Sequence, residues 1–282
     1  MVVAVVGANG QLGQALQHIA ANHPAVQCHF FSSKEIDITQ VTSIEKVWHQ
    51  LKPDFCINAA AYTAVDKAES ESDKATLINV DGARNLATIC KEFNTTLLHI
   101  STDFVFDGSK TTPYLESDTT NPQSVYGTTK RDGELAIINT MQAYFIIRTS
   151  WLYSQFGNNF MKTMLRLSQE RSALSIVDDQ IGSPTHAIDL AEMLLTIIQS
   201  KSTAYGIYHF SNPGSSSWYG FAKKIFELNK ISILLHPITT SQYPTPAKRP
   251  HYSVLDVSKI ESTFKVSIKK WDVALEQHAN EA

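Results

Sequence analysis

Cysteine is scarce in this chain of 282 residues: Cys28, Cys56 and Cys90 stand far apart, with no CxxC pair and no metal-ligand spacing. That excludes a disulfide scaffold, and an odd number of scattered thiols reads as reduced side chains packed in a cytosolic core. An excess of one charge is also missing. With 24 Lys and Arg against 27 Asp and Glu the formal net charge is −3, so no broad electrostatic pull toward nucleic acid or an anionic membrane surface is expected. No apolar run reaches the roughly 18 residues that span a bilayer. The apolar start, Met1–Val6, is too short for a signal-peptide core and has no basic residues ahead of it. The histidines are dispersed without an HExxH pattern, so no metal site is expected, and no GxSxG elbow marks a serine hydrolase. The expectation is a soluble, cytoplasmic protein with neither a membrane nor a nucleic-acid partner.

What is present is apolar material in rhythm. The chain is 43% hydrophobic, enough for one large core with a smaller lobe attached. Short β-rich runs at 2–6, 26–31, 55–60, 97–101 and 144–148 alternate with helical stretches at 14–21, 41–51, 71–93 and 125–139. Val2–Val6 is apolar throughout, as a strand covered on both faces must be. Repeated β-α units of this length predict an α/β fold, a Rossmann-type doubly wound parallel sheet with helices on both faces. After about residue 150 the rhythm changes. Helices at 158–170, 186–199 and 218–229 and a strand at 207–210 are followed by the proline-rich stretch PTPAKRP, 244–250. The reading is therefore a dinucleotide-binding domain over 1–150, with some later segments returning to it, and a mainly substrate-binding lobe over 151–282.

Gly7, Gly10 and Gly13 join the first strand to the first helix with GxxGxxG spacing. Such a loop needs glycine for the tight turn, for close approach of the backbone to a pyrophosphate, and for helix–strand packing. The helix start then offers unpaired N–H groups to the phosphates. Gln11 and Leu12 belong to the same loop. At the tip of the second strand, Ser32, Ser33 and Lys34 precede the first carboxylate, Glu35. Hydroxyls and a lysine there suit a 2′-phosphate, which favours NADPH with NADH also admissible. Asp37 and Ile38 follow where an adenine contact falls. The small residues Ala60 and Ala61, before Tyr62, allow a cofactor to lie against the backbone.

Tyr126 and Lys130 form a YxxxK pair within a helical stretch, so phenol and amine share one face. A tyrosine titrates near 10, and moving it about three units toward neutrality takes ~4 kcal/mol, which the Lys130 charge together with the cationic nicotinamide ring of an oxidised complex can supply. Upstream, Thr102 ends a strand, where a hydroxyl can hold a substrate carbonyl. Thr102, Tyr126 and Lys130 are the candidate catalytic residues.

Several longer blocks then point to one family. NAAAYTAVDKAE (58–69), STDFVFDG (101–108), RTSW (148–151), GNNF (157–160), DQIGSPT (179–185) and the 244–250 stretch, with the glycine loop and YGTTK, resemble dTDP-4-dehydrorhamnose reductases of the extended short-chain dehydrogenase/reductase type. The resemblance implies NAD(P)H-dependent reduction of the 4-keto group of a dTDP-sugar, with Tyr126 as proton donor, Lys130 on the nicotinamide ribose and Thr102 on the keto oxygen. It further implies that Val65, Asp103 and Trp151 line the sugar and nucleotide pocket. Lys248 and Arg249 are candidates to meet the diphosphate. Some members pair through a magnesium ion held by glutamates; Ala15 and Ile188 stand at the matching positions, so a magnesium-linked dimer is not expected. Phe104 replaces a tyrosine common in the family. Two alternatives stay open: another nucleotide-sugar ketoreductase or epimerase, or a non-catalytic NADP-binding subunit such as the regulatory subunit of methionine adenosyltransferase.

Overall fold

Val2–Val6 forms the first strand of the computed structural model, which describes residues 1–278. In chain order there follow α1 (Gln11–Ile19), β2 (Gln27–Phe31), α2 (Val41–Leu51), β3 (Phe55–Asn58), α3 (Val65–Ala68), α4 (Ser72–Thr76), α5 (Gly82–Glu92), β4 (Thr96–Thr102), α6 (Val125–Thr140) and β5 (Tyr144–Thr149), with Val2–Val6 as β1. Beyond these come β6 (Leu152–Tyr153), α7 (Phe160–Glu170), β7 (Ala173–Val177), β8 (Ile181–Gly182), β9 (Thr185–His186), α8 (Ala187–Ser200), β10 (Gly206–His209), β11 (Ser216–Ser217), α9 (Trp218–Leu228), β12 (Leu234–Ile238), α10 (Ser258–Phe264) and α11 (Trp271–His278).

Six strands form a parallel sheet in the order β10-β5-β4-β3-β1-β2. The order runs outward in both directions from β1, so the sheet is doubly wound and its switch point lies between β1 and β3. Side-chain alternation builds both cores. Val3 and Val5 of β1 join Leu16 of α1 and Ala191 and Leu195 of α8 on one face. Ala4 and Val6 meet Ile44 and Trp48 of α2 and Leu86 and Ile89 of α5 on the other. A strand buried on both sides has no polar face to spare, which is why β1 is apolar throughout.

Two elements depart from the sequence reading for local reasons. α1 begins at Gln11, inside the glycine loop, because the loop's last glycine is already helical: a Cβ on Gly13 would lie 2.6 Å from the Ala8 carbonyl oxygen. The helix expected over 71–93 is interrupted at Leu77–Asp81 by a π-type turn. That widened turn carries the buried Asn79, whose side chain is needed elsewhere.

The later residues build a separate apolar cluster, in which Tyr153, Met161 and Met164 meet Ile176, Phe221, Ile225 and Leu275. β10 returns to the main sheet beside β5. Residues 279–282 of the region assigned to the substrate lobe lie outside the described residues.

Candidate active site

At the switch point the chain leaves β1 through Gly7 and leaves β3 through Ala59 and Ala60. Gly7 has φ +88°, and a Cβ there would stand 2.6 Å from the Ala60 amide nitrogen. Only glycine admits both the left-handed backbone and the contact. Between the two strand ends opens a cleft of about 280 Å³, bordered by Gly7, Gly10, Ser33, Asp37, Ile38, Ala60 and Ala61 among others. The first turn of α1 points into the loop without a side-chain cap, which leaves its N–H groups available to an anion. A mostly apolar slot ending at uncapped amides suits a dinucleotide: adenosine in the slot, pyrophosphate at the helix start.

The remaining cofactor candidates lie differently. Leu12 is core, and Gly13 serves packing under the loop. Gln11 accepts a hydrogen bond from Asn159 Nδ2 at 2.6 Å, tying α1 to the segment before α7. Tyr62 turns its ring into a small cluster with Ala68 and Ala75 and donates to Glu71 at 3.0 Å. At the tip of β2, the Glu35 carboxylate folds back to accept both the N–H and the hydroxyl of Ser32 at 2.8 Å each, which holds it below its ordinary carboxylate range. Lys34 is exposed.

Thr102 ends β4 and Tyr126 lies in the first turn of α6, whose N-cap Ser124 accepts from the Gly127 amide at 3.2 Å. Gly127 is packed so closely on the Phe104 carbonyl that no Cβ fits; this seats Tyr126 against the strand end. Burial pushes the Tyr126 phenol up to about 12, with the Thr102 hydroxyl pulling down and Asp103 pushing further up. The Lys130 amine donates to the Ile100 carbonyl at 2.7 Å. Lys130 itself is brought down to about 8 by burial, against an upward pull from Glu134. Asp103 is buried, and burial raises its carboxyl to about 6 although the Ser253 and Thr102 hydroxyls pull it down; its Oδ2 has no hydrogen-bond partner.

Trp151 carries a positive φ of 46°. A non-glycine residue there is strained, and such strain persists only where the surroundings fix it. The surroundings here are Trp218, stacked at 3.5 Å and 7°, and Gly182, which leaves no room for a Cβ against the indole. Val65 starts α3, and its neighbour Asp66 receives a two-pronged ion pair from Arg249, Nη1 to Oδ1 at 3.1 Å and Nη2 to Oδ2 at 2.8 Å. Arg249 therefore fastens the proline-rich stretch to α3, and Lys248 donates to Gln123 at 3.3 Å. Ala15 and Ile188 are buried in the core where α1 packs on α8.

Three supporting residues are not among the candidate site residues. Asn79, on the π turn, accepts from the Tyr62 amide at 2.8 Å and donates to Thr129 at 3.1 Å, bracing the loop after β3 against α6. Glu134 and Arg148 form a fully buried pair, 2.9 Å and 2.6 Å, which Ser101 joins by donating to Glu134. A lone asparagine on an apolar helix face was the available signal for the first. Arg148 lies in the RTSW block, but its pairing with Glu134 has no signal in the sequence, since the two come from different elements. Among the described residues no helix is long and apolar enough to cross a membrane, and no group of three or more His, Cys, Asp or Glu is placed to hold a metal ion.

A Rossmann-type sheet with a glycine turn at its switch point and a YxxxK helix beside it defines an α/β protein of the dinucleotide-binding class. Comparison with known proteins narrows the class. Residues 1–282 match the family described as RmlD substrate binding domain. The chain is similar to the dTDP-4-dehydrorhamnose reductase of Aggregatibacter actinomycetemcomitans, 41% identical over 282 residues and covering 96% of each chain. It is also similar to that of Escherichia coli K12, 38% identical over 303 residues, covering 100% of this chain and 98% of the relative. The crystal structure of the Bacillus anthracis dTDP-4-dehydrorhamnose reductase in complex with NADP superposes with a TM-score of 0.96 at 40% identity, covering 100% of this chain and 99% of that one. The chain belongs to the RmlD substrate binding domain family.

Proposed function

We propose that this protein reduces the 4-keto group of dTDP-4-dehydro-β-L-rhamnose to give dTDP-L-rhamnose, using NADPH in preference to NADH, in the cytoplasm. The observation that carries the proposal is the convergence of Thr102 and Tyr126 at the C-terminal end of β4, with Lys130 one helical turn behind, in a chain whose relatives at about 40% identity bear the reductase name.

When bound, the dinucleotide supplies the hydride that adds to C4 of the sugar. The chain's own residues handle the oxygen. Thr102 donates a hydrogen bond to the keto oxygen and orients the carbonyl. As the C4 oxygen gains charge, Tyr126 gives it a proton, so ketone, hydride and proton leave as one alcohol. A reduction needs the phenol protonated at the start, and a phenol near 12 is fully so at neutral pH. Lys130 holds the nicotinamide ribose and replaces the proton that Tyr126 gives up. Gly7, Gly10, Gln11, Leu12 and Gly13 carry the pyrophosphate turn; Asp37, Ile38, Ala60, Ala61 and Tyr62 border the adenosine and ribose. Val65, Asp103 and Trp151 line the sugar pocket, with Trp151 pinned by Trp218, so residues beyond 150 supply much of the sugar lobe.

For the cofactor, the Glu35 carboxylate is already engaged by Ser32 and is a poor acceptor for a ribose 2′-OH, while Lys34 is open to a 2′-phosphate. The NADP in the Bacillus anthracis relative supports the same choice. With Ala15 and Ile188 buried and apolar, turnover proceeds without magnesium-linked pairing.

The test is oxidation of NADPH and of NADH with enzymatically generated dTDP-4-dehydro-L-rhamnose. Stoichiometric oxidation yielding dTDP-L-rhamnose, faster with NADPH, is the expected result. NADPH binding without oxidation would overturn the reading.

A further inference from the structure

Behind Lys130 lies a pair of buried polar residues that neither the motif nor the steps above use. Asn58 and His99 face each other in register across β3 and β4, each 1% exposed. Buried this deeply in the sheet, such groups are retained only if they are hydrogen-bonded. Asn58 Oδ1 accepts the Ala60 N–H at 3.1 Å. That fixes the amide orientation, so Nδ2 is the group presented to His99 Nδ1 at 3.0 Å. An amide nitrogen is only a donor, so Nδ1 must be the acceptor. Burial and the nearby Lys130 hold the imidazole well below its ordinary range, hence neutral, and its single proton sits on Nε2. Nε2 in turn lies 3.4 Å from Lys130 Nζ.

We propose that Asn58 and His99 are positioning residues for the reaction, holding the imidazole with its Nε2–H toward Nζ so that the Lys130 amine can give up and regain a proton. The proposal rests on the reductase reading, in which Lys130 returns a proton to Tyr126. A neutral amine accepts Nε2–H with its lone pair and still donates to the Ile100 carbonyl at 2.7 Å. An ammonium group meets the same Nε2–H donor to donor. The pair therefore favours the neutral amine, while Glu134, one turn further along α6, favours the charged one. Glu134 is itself occupied by Arg148 and Ser101. The other titratable groups on this side are Tyr126, one turn earlier on α6, and Asp103 beside Tyr126. The opposed pulls leave Lys130 close to balance under working conditions, which a proton carrier needs.

The experiment is titration of the lysine ¹³Cε resonances of the whole protein, with the Lys130 signal assigned by its loss in Lys130→Met. His99→Leu removes the opposing N–H, and the Lys130 midpoint should rise by about one pH unit. His99→Gln can accept from Asn58 and present an N–H to Nζ, so it should return the midpoint to the parent's. Asn58→Asp keeps the Ala60 hydrogen bond but draws the imidazole proton to Nδ1, and should raise the midpoint at least as far as His99→Leu; this variant serves if His99→Leu fails to fold. An unmoved midpoint in His99→Leu and Asn58→Asp, or the same rise in His99→Gln as in His99→Leu, would overturn the proposal. The titration needs no substrate, so absence of ketosugar turnover in the parent would refute the reductase reading and leave this result standing. With turnover, the pH profile of kcat/KM should shift in parallel with the midpoint.

Discussion

Asp103 offers the sharpest link between the site and the stability of the fold. It is 2% exposed, and burial lifts its carboxyl from 3.8 to about 6. Between those values the native state holds a proton that the unfolded state releases. Stability therefore falls as pH rises through that window, and the loss persists at neutral pH. At 1.36 kcal/mol per unit the loss at pH 7 is about 3 kcal/mol. Asp103→Asn cannot ionise and escapes it. The amide brings a cost of its own, because it places N–H donors where Oδ2 has no partner, roughly 1–2 kcal/mol at any pH. The variant should be more stable than the parent at pH 7 by about 1–2 kcal/mol, and less stable by about 0.5–1.5 kcal/mol at pH 4. Urea unfolding of both proteins at the two pH values, without cofactor, reads the crossover. A stability difference of the same sign and size at both would refute the reasoning. The same variant should bind the dTDP-sugar more weakly, as expected of a residue kept for the ligand at a cost in stability.

Three other perturbations follow from the same geometry. Gly7→Ala forces a Cβ against the Ala60 amide at a positive φ; NADPH affinity should fall at least tenfold, about 1.4 kcal/mol, and a fluorescence titration with near-parent affinity would contradict the assigned turn. Arg148→Leu strands Glu134 without its cation and should cost about 3–5 kcal/mol; the double variant Glu134→Leu/Arg148→Leu should recover a large part of that in urea unfolding, and an equal or greater loss would argue against a charge-pair origin. Trp218→Leu removes the stack that pins Trp151; KM for the dTDP-sugar should rise several-fold with NADPH affinity unchanged, and an unaltered KM would remove Trp151 from the sugar pocket.

The parts of the site legible in the sequence are those whose chemistry is local. Gly7, Gly10 and Gly13 report a turn and a close approach through spacing alone, and Tyr126 and Lys130 share a face because four residues make about one helical turn. The parallel sheet was legible because β1 is apolar on both sides. What stayed hidden depends on partners from distant elements. His99 meets Asn58 only through the register of β3 against β4, and Glu134 finds Arg148 across α6 and β5. Arg249, a candidate for the diphosphate by charge, pairs with Asp66 from a distant part of the chain. Burial raises the Tyr126 phenol and the Ile100 carbonyl holds the Lys130 amine, and neither environment is visible in YxxxK spacing. Asn79 broke a helix that periodicity had drawn as continuous, because its side chain brackets Tyr62.

The central claim is that Tyr126 delivers the proton while hydride reaches the sugar. A single-turnover measurement with preformed NADPH complex and dTDP-4-dehydro-L-rhamnose, comparing the parent with Tyr126→Phe, tests it most directly. The account predicts a loss of about 10²–10⁴-fold in the rate of NADPH oxidation, with NADPH affinity nearly unchanged in the same preparation. An undiminished rate in Tyr126→Phe would contradict it.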